Sequence, residues 1–220
     1  MSSEVVTTAH LQVKSKEARD KLIAIFNEIT EYSRENENPG VNRYVTLVPT
    51  DPANETSLYM LEQYKDQAAS DAHLQTPPVQ KLLKFFTDEE PLIAPPEVNN
   101  LNPSVDFRRP NITDPHPGMI FLFAHMGYQP GKLSTALPLL QDLISASAQA
   151  EPGFWGCTAS VDKEKNLIRV VDMFESDKFY ESEHVKSDAI AKFHEKNSPL
   201  SNGEGSLVKL TVVQGFLGRS

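Results

Sequence analysis

Residues 38–40 read Asn-Pro-Gly and residues 151–153 read Glu-Pro-Gly. Each triplet follows a stretch with helical apolar spacing and precedes an extended one, so each marks a helix-to-strand turn. Working outward, Ala9-His10 upstream of the first triplet has a counterpart in Ala124-His125, and His73 downstream has one in His184. The three offsets are 113, 115 and 111 residues. A period of this length with small insertions means two copies of one unit.

The unit reads βαββαβ. In the first copy residues 5–13 are extended, and Ser15 caps a helix whose apolar positions Leu22, Ile25, Phe26, Ile29 and Tyr32 recur at helical spacing. Strands are expected over 41–48 and Ser57–Tyr64, and a second helix from Gln67 is interrupted by Thr76-Pro77-Pro78. Glu97–Leu101 is the fourth strand. In the second copy residues 118–128 form strand one, and Leu133, Leu137, Leu140 and Ile144 mark helix one; Pro138 falls inside it, and if Ser134 is the N-cap the proline takes the fourth helical position, where no intrahelical N–H is lost. Residues 153–161 and Leu167–Phe174 form a hairpin, residues 177–197 the broken second helix, and residues 207–216 strand four. Residues 88–117 hold seven of the 16 prolines, a composition that predicts a stiff, extended crossover. The expected division is residues 1–102, a Pro-rich linker at 103–117, and residues 118–220.

Composition narrows the class. The chain has 220 residues, 39% hydrophobic and 23% charged, which is enough apolar material for a core. Its net charge of −9 and the lack of clustered Lys and Arg argue against nucleic acid as a partner. No apolar run approaches the roughly 18 residues that a membrane-spanning helix needs. Met1-Ser2-Ser3-Glu4 does not read as a secretory leader, and the single cysteine, Cys157, has no internal partner; a reducing, cytoplasmic setting is expected.

The motif Pro39-Gly40 with Tyr44, then Glu62-Gln63-Tyr64, then Ala72-His73-Leu74, resembles the antibiotic-biosynthesis-monooxygenase family of the dimeric α+β barrel superfamily. The second copy matches with Glu151-Pro152-Gly153, Asp172-Met173-Phe174 and Glu183-His184-Val185. It departs from the first by Cys157 in place of Tyr44, Asp172 in place of Glu62, and one extra residue between Asp172 and His184. The resemblance implies an α+β fold of two tandem ferredoxin-like units forming an intrachain dimeric α+β barrel. A sheet with helices on one face leaves the other bare, so the two copies are expected to cover each other, as a monomer with an internal pseudo-dimer or as a homodimer of it. The superfamily includes cofactor-free oxygenases, polyketide cyclases and haem-degrading enzymes.

The resemblance also implies a pocket between sheet and helices, lined by the strand-one histidine and the broken second helix. On that reading His125 and His184 converge as catalytic residues in the second copy, with His10 and His73 as second choice in the first. A histidine can take a proton from a phenol or an activated carbon; it can equally be a hydrogen-bonded structural group. Phe121 and Phe123 share the face of His125 by the period of two, and Trp155 and Met173 are candidates to close the sides. Tyr44 and Tyr59 are the candidate contacts in the first copy, where Thr8, His10 and Gln12 make a more polar face. No His-x-His or His-x-x-x-His spacing points to a metal, and Asn202-Gly203-Glu204-Gly205 lacks the context of a dinucleotide fingerprint, so no cofactor is expected.

The expected function is cofactor-independent oxygenation of an aromatic or polyketide-derived small molecule in secondary metabolism, with O2 as co-substrate. The alternatives are a cyclase or lyase that uses the same base, and a non-catalytic ligand-binding or stress-associated barrel.

Overall fold

The computed structural model describes residues 3–219, which divide into two compact units. Among the described residues the first comprises 3–102, 112–115 and 211–219; the second comprises Pro103–Asn111 and His116–Leu210.

In the first unit β1 (Val5–Gln12) leads to α1 (Lys16–Asn36). Ser15 caps α1 by accepting from the Ala18 amide at 3.1 Å, and Leu22, Ile25, Phe26 and Ile29 are buried along one face. Then come β2 (Val41–Pro49), β3 (Ser57–Tyr64), α2 (Gln67–His73), α3 (Pro77–Glu89) and β4 (Glu97–Leu101). Asp66 caps α2, and Pro77 opens α3, where its missing N–H costs nothing. The strands run β4-β1-β3-β2, all antiparallel, the ferredoxin-like order.

The second unit opens with β5 (Pro103–Arg108), followed by β6 (Ile120–Tyr128), α4 (Leu133–Ala150), β7 (Phe154–Asp162) and β8 (Leu167–Phe174). A short α5 (Asp177–Phe179) runs into a π-helical turn over Tyr180–His184, then α6 (Asp188–Asn197) and the long β9 (Ser201–Phe216). The strand order β9-β6-β8-β7 repeats that of β4-β1-β3-β2.

Three expectations change. Residues 103–108 are an edge strand on β7 rather than part of a tether: Phe107 opposes Cys157 and its ring lies 5.6 Å from Phe154. Pro103 sits at the start of that strand, where proline is tolerated. α4 begins at Leu133 with Lys132 at the N-cap, so Ser134 lies inside it and Pro138 falls deeper than its first turn. Strand four begins at Ser201, not 207, and is shared: its residues to Leu210 belong to the second unit, with Gly205 against the His125 carbonyl, and those from Thr211 to the first, with Gly215 against the Tyr44 carbonyl. Each unit has its own core, and Phe216 is buried in that of the first. Among the described residues no helix is long and apolar enough to cross a membrane.

Candidate active site

Strand parity decides what meets what. In β6, Ile120, Leu122, Ala124 and Met126 pack with Leu140, Ile144 and Phe193 of the helices. Phe121, Phe123 and His125 therefore point to the opposite face, where the register sets Met173 directly across from Phe121. In β1, Val5, Ala9 and Leu11 pack with α1, and His10 faces away.

His184 lies on the helix side. It is 6% exposed, its ring 4.6 Å from Phe174, stacked on Phe154 at 5.7 Å and on Tyr180 at 6.0 Å. His73 lies on the helix side of the first unit, 5.5 Å from Tyr44 and 5.3 Å from Tyr64. The expected convergence of His125 with His184, and of His10 with His73, is corrected: each pair is split across the two faces of its sheet. His125 Nδ1 instead meets Ser206 Oγ at 2.8 Å. His10 stacks on Tyr59 at 4.3 Å, and burial lowers its pKa although Glu97 pulls the other way. Of the expected lining, Phe121, Phe123 and Met173 share the face of His125, Tyr59 that of His10, and Tyr44 joins His73. Trp155 packs edge-on against His116 at 5.2 Å.

What the helix-side histidines share is a carboxylate. His184 Nδ1 is 2.6 Å from Glu151 Oε2, and Ser147 Oγ donates to Glu151 Oε1 at 2.9 Å. His73 Nδ1 is 2.9 Å from Glu37 Oε2, and Ser33 Oγ donates to the same oxygen at 2.6 Å. Both serines stand one turn before their glutamate at the end of helix one. Burial pushes Glu37 up, but hydrogen bonds from His73 and Ser33 outweigh it and hold the carboxyl below its ordinary pKa. An ionised carboxylate only accepts, so Nδ1 donates and Nε2 is left as the atom that can take or return a proton.

A second acid stands behind each histidine. Burial raises Asp172 to about 6, against the opposing hydrogen bond from the Cys157 thiol and the charge of His184. Burial likewise raises Glu62, which accepts from the Tyr64 hydroxyl. Burial and the Glu62 charge push Tyr44 and Tyr64 well above the ordinary phenol range. The first unit thus surrounds its histidine with two phenol rings, whereas the second sets Cys157 and Phe174 in their places, adds Phe154 and Tyr180, and is the more apolar.

The extra residue between Asp172 and His184 has a structural location. The N-caps Asp66 and Ser176 correspond, and the added residue is taken up in the π-helical turn that ends on His184, closed by Val185 N donating to Tyr180 O at 3.0 Å. The sequence reading missed Ser33, Glu37, Ser147 and Tyr180, and took Glu151 only as punctuation. The signal was a Ser-x-x-x-Glu spacing before each Pro-Gly, hidden because Asn38 separates Glu37 from Pro39 while Glu151 abuts Pro152. Among the described residues no three His, Cys, Asp or Glu side chains group to hold a metal ion.

No curated protein matches the sequence. Among solved structures, one from Fusobacterium nucleatum subsp. nucleatum, named as a proposed monooxygenase, superposes with a TM-score of 0.84 at 10% identity over 100% of this chain and 99% of its own. Another from Lactobacillus acidophilus, named likewise, gives 0.80 at 13% identity over 99% and 100%. An anthrone oxidase-like protein gives 0.65 at 13% identity over 97% and 92%. These likenesses show the fold alone. Residues 5–84 and 119–196 each match the family described as antibiotic biosynthesis monooxygenase, and the chain belongs to that family as a tandem, two-copy member.

Proposed function

We propose that the second unit oxygenates an electron-rich phenolic or polyketide-derived ring, with His184 as the base and no resident cofactor. The observation that carries this reading is the His184–Glu151 pair, set 2.6 Å apart and faced by the rings of Phe154, Phe174 and Tyr180. Glu151 fixes the Nδ1–H, so Nε2 accepts a proton from a substrate hydroxyl or activated methylene. The aromatic side chains suit a flat ring and exclude water, which keeps the resulting anion electron-rich. That anion reduces O2 itself: a ring methylene and O2 become a carbonyl and water, the methylene giving up four electrons and two hydrogens. The role of the protein is proton transfer, orientation and exclusion of solvent.

Anthrone is the test substrate, chosen for the fold likeness to an anthrone oxidase-like protein. Oxygen uptake stoichiometric with quinone formation, reduced about 10²-fold or more by His184→Gln, is the expected result. Uptake unchanged in His184→Gln overturns the assignment of the base. Conversion of a polyketide-like substrate without oxygen uptake would instead make the protein a cyclase or lyase.

A further inference from the structure

We propose that Lys209 is a positioning residue of the His184 site: it clasps the π-helical turn to β9, sets Tyr180 as the outer wall of the imidazole, and so governs how readily a substrate ring reaches Nε2. The inference deepens the oxygenase reading and rests on His184 being its base. Lys209 Nζ donates to Asp177 Oδ1 at 2.5 Å and to Glu181 Oε1 at 2.7 Å, and lies 5.1 Å from the centre of the Tyr180 ring. One ammonium from β9 thus joins two acids a helical turn apart and covers the ring between them.

Tyr180 in turn stacks on His184 at 6.0 Å. The other side chains set against that imidazole, Phe154, Phe174 and Glu151, are buried, whereas Tyr180 is half-buried. The site borders solvent on the Tyr180 side, and a ring enters there by displacing the phenol. The carboxylates that hold Lys209 are each 57% exposed. Ion pairs so exposed are weak singly, enough to fix the resting place of Tyr180 and weak enough to release it.

The first unit shows the same turn without the clasp. Counting from the N-caps Asp66 and Ser176, Gln67 and Asp71 match Asp177 and Glu181, and Ser70 matches Tyr180. The closing bonds agree: Leu74 N donates to Ser70 O at 3.3 Å, and Val185 N to Tyr180 O at 3.0 Å. In the first unit Gln67 Nε2 donates straight to Asp71 Oδ1 at 2.7 Å, so the turn ties itself. The matching strand β4, Glu97–Leu101, holds no lysine or arginine. In the second unit both positions are acids, a pair that repels unless a cation stands between them. The second acid, the tyrosine, the added residue and the lysine on β9 are one device, built over the histidine that Phe154 and Phe174 flank.

The experiment is carbethoxylation of the whole chain with diethyl pyrocarbonate near neutral pH, read by peptide mass spectrometry so that each histidine reports separately. Exposed His194 on α6 is the reference, and His73, buried in the unit that lacks the clasp, is the control for general loosening. In Lys209→Met, His184 reacts about tenfold faster relative to His194, as expected for loss of both ion pairs and the cation–ring contact and for repulsion between the freed acids. His73 stays within about twofold of its native rate. Lys209→Arg keeps the charge and holds His184 within about threefold of native. Salt at about 1 M screens the exposed pairs and speeds His184 in the native chain but not in Lys209→Met. A His184 rate in Lys209→Met equal to native, a rise shared in equal measure by His73, or an arginine variant as reactive as the methionine one overturns the proposal. No substrate takes part, so these outcomes are separate from failure of the oxygenase reading, which shows as absence of oxygen uptake with anthrone.

Discussion

His184 Nδ1 lies 2.6 Å from Glu151 Oε2, a relationship the fold makes twice, the second time between His73 and Glu37 at 2.9 Å. Two donors, the imidazole and the Ser147 hydroxyl, converge on Glu151, and a carboxylate satisfies both. A glutamine amide satisfies one and turns an N–H toward the other. Glu151→Gln is therefore expected to lower kcat on anthrone by about 10²-fold and to move the pH–rate profile, with KM little changed. A profile and a kcat like those of the native protein would show that Glu151 does not set the proton position on His184.

Asp172 gives a stability prediction with a definite sign. Burial raises its pKa from 3.8 to about 6, so the folded state disfavours the carboxylate. The contribution is present in full below the unfolded value and is lost as pH rises through the folded one. Native stability thus carries a penalty above about pH 6, of order 1–3 kcal/mol. Asp172→Asn keeps an acceptor for the Cys157 thiol and removes the charge. Urea unfolding should show the variant gaining on the native protein between about pH 4 and pH 7. A gap that stays constant with pH would mean Asp172 does not titrate in that window.

The fold was legible because each of its devices has a local sequence cause. Ser15 caps a helix with apolar residues at helical spacing, and Pro39-Gly40 and Pro152-Gly153 end the helices where the strands begin. The site was only partly legible, and for two physical reasons. The strand Ile120–Tyr128 buries both faces: Phe121 and Leu122 are each at most 2% exposed. With apolar residues on both parities, alternation says that Phe121, Phe123 and His125 share a face, but not which face meets the helices. The second reason is the one-residue shift at Asn38, which pairs Glu151 with the wrong neighbour when the two Pro-Gly turns are aligned.

The split of His125 from His184 across the sheet is itself testable. Residues that share no partner contribute independently. The unfolding free energies of His125→Ala, His184→Ala and the double variant should therefore add within about 0.5 kcal/mol. His184→Ala should be the costlier single change, because it leaves the Glu151 carboxylate buried without its imidazole. A coupling above about 1 kcal/mol would mean the two side chains act in one network after all.

The shared strand β9 predicts where the first unit is vulnerable. Phe216 is 1% exposed in its core, and Arg34 and Arg219 lie over its ring at 5.2 and 4.4 Å. Arg219 also donates to the carbonyls of Ser33 and Arg34, at 2.7 Å each, so it caps the end of the helix that carries the Ser33–Glu37–His73 chain. Gly215 has φ 140°, and a Cβ there would stand 2.3 Å from the Tyr44 carbonyl oxygen. Alanine cannot relieve that contact, since the near atom is backbone. Phe216→Ala should cost about 3–5 kcal/mol by loss of a buried ring, and Gly215→Ala about 2 kcal/mol or more. Arg219→Ala removes exposed and partly buried hydrogen bonds and should cost about 1 kcal/mol. Hydrogen exchange locates the damage: the last turn of α1 should lose protection in all three variants, and the last turn of α4, with Ser147 and Glu151, should keep it. Protection lost equally at both helix ends, or a cost for Phe216→Ala below about 1 kcal/mol, would show that the last residues of β9 do not belong to the first unit's core.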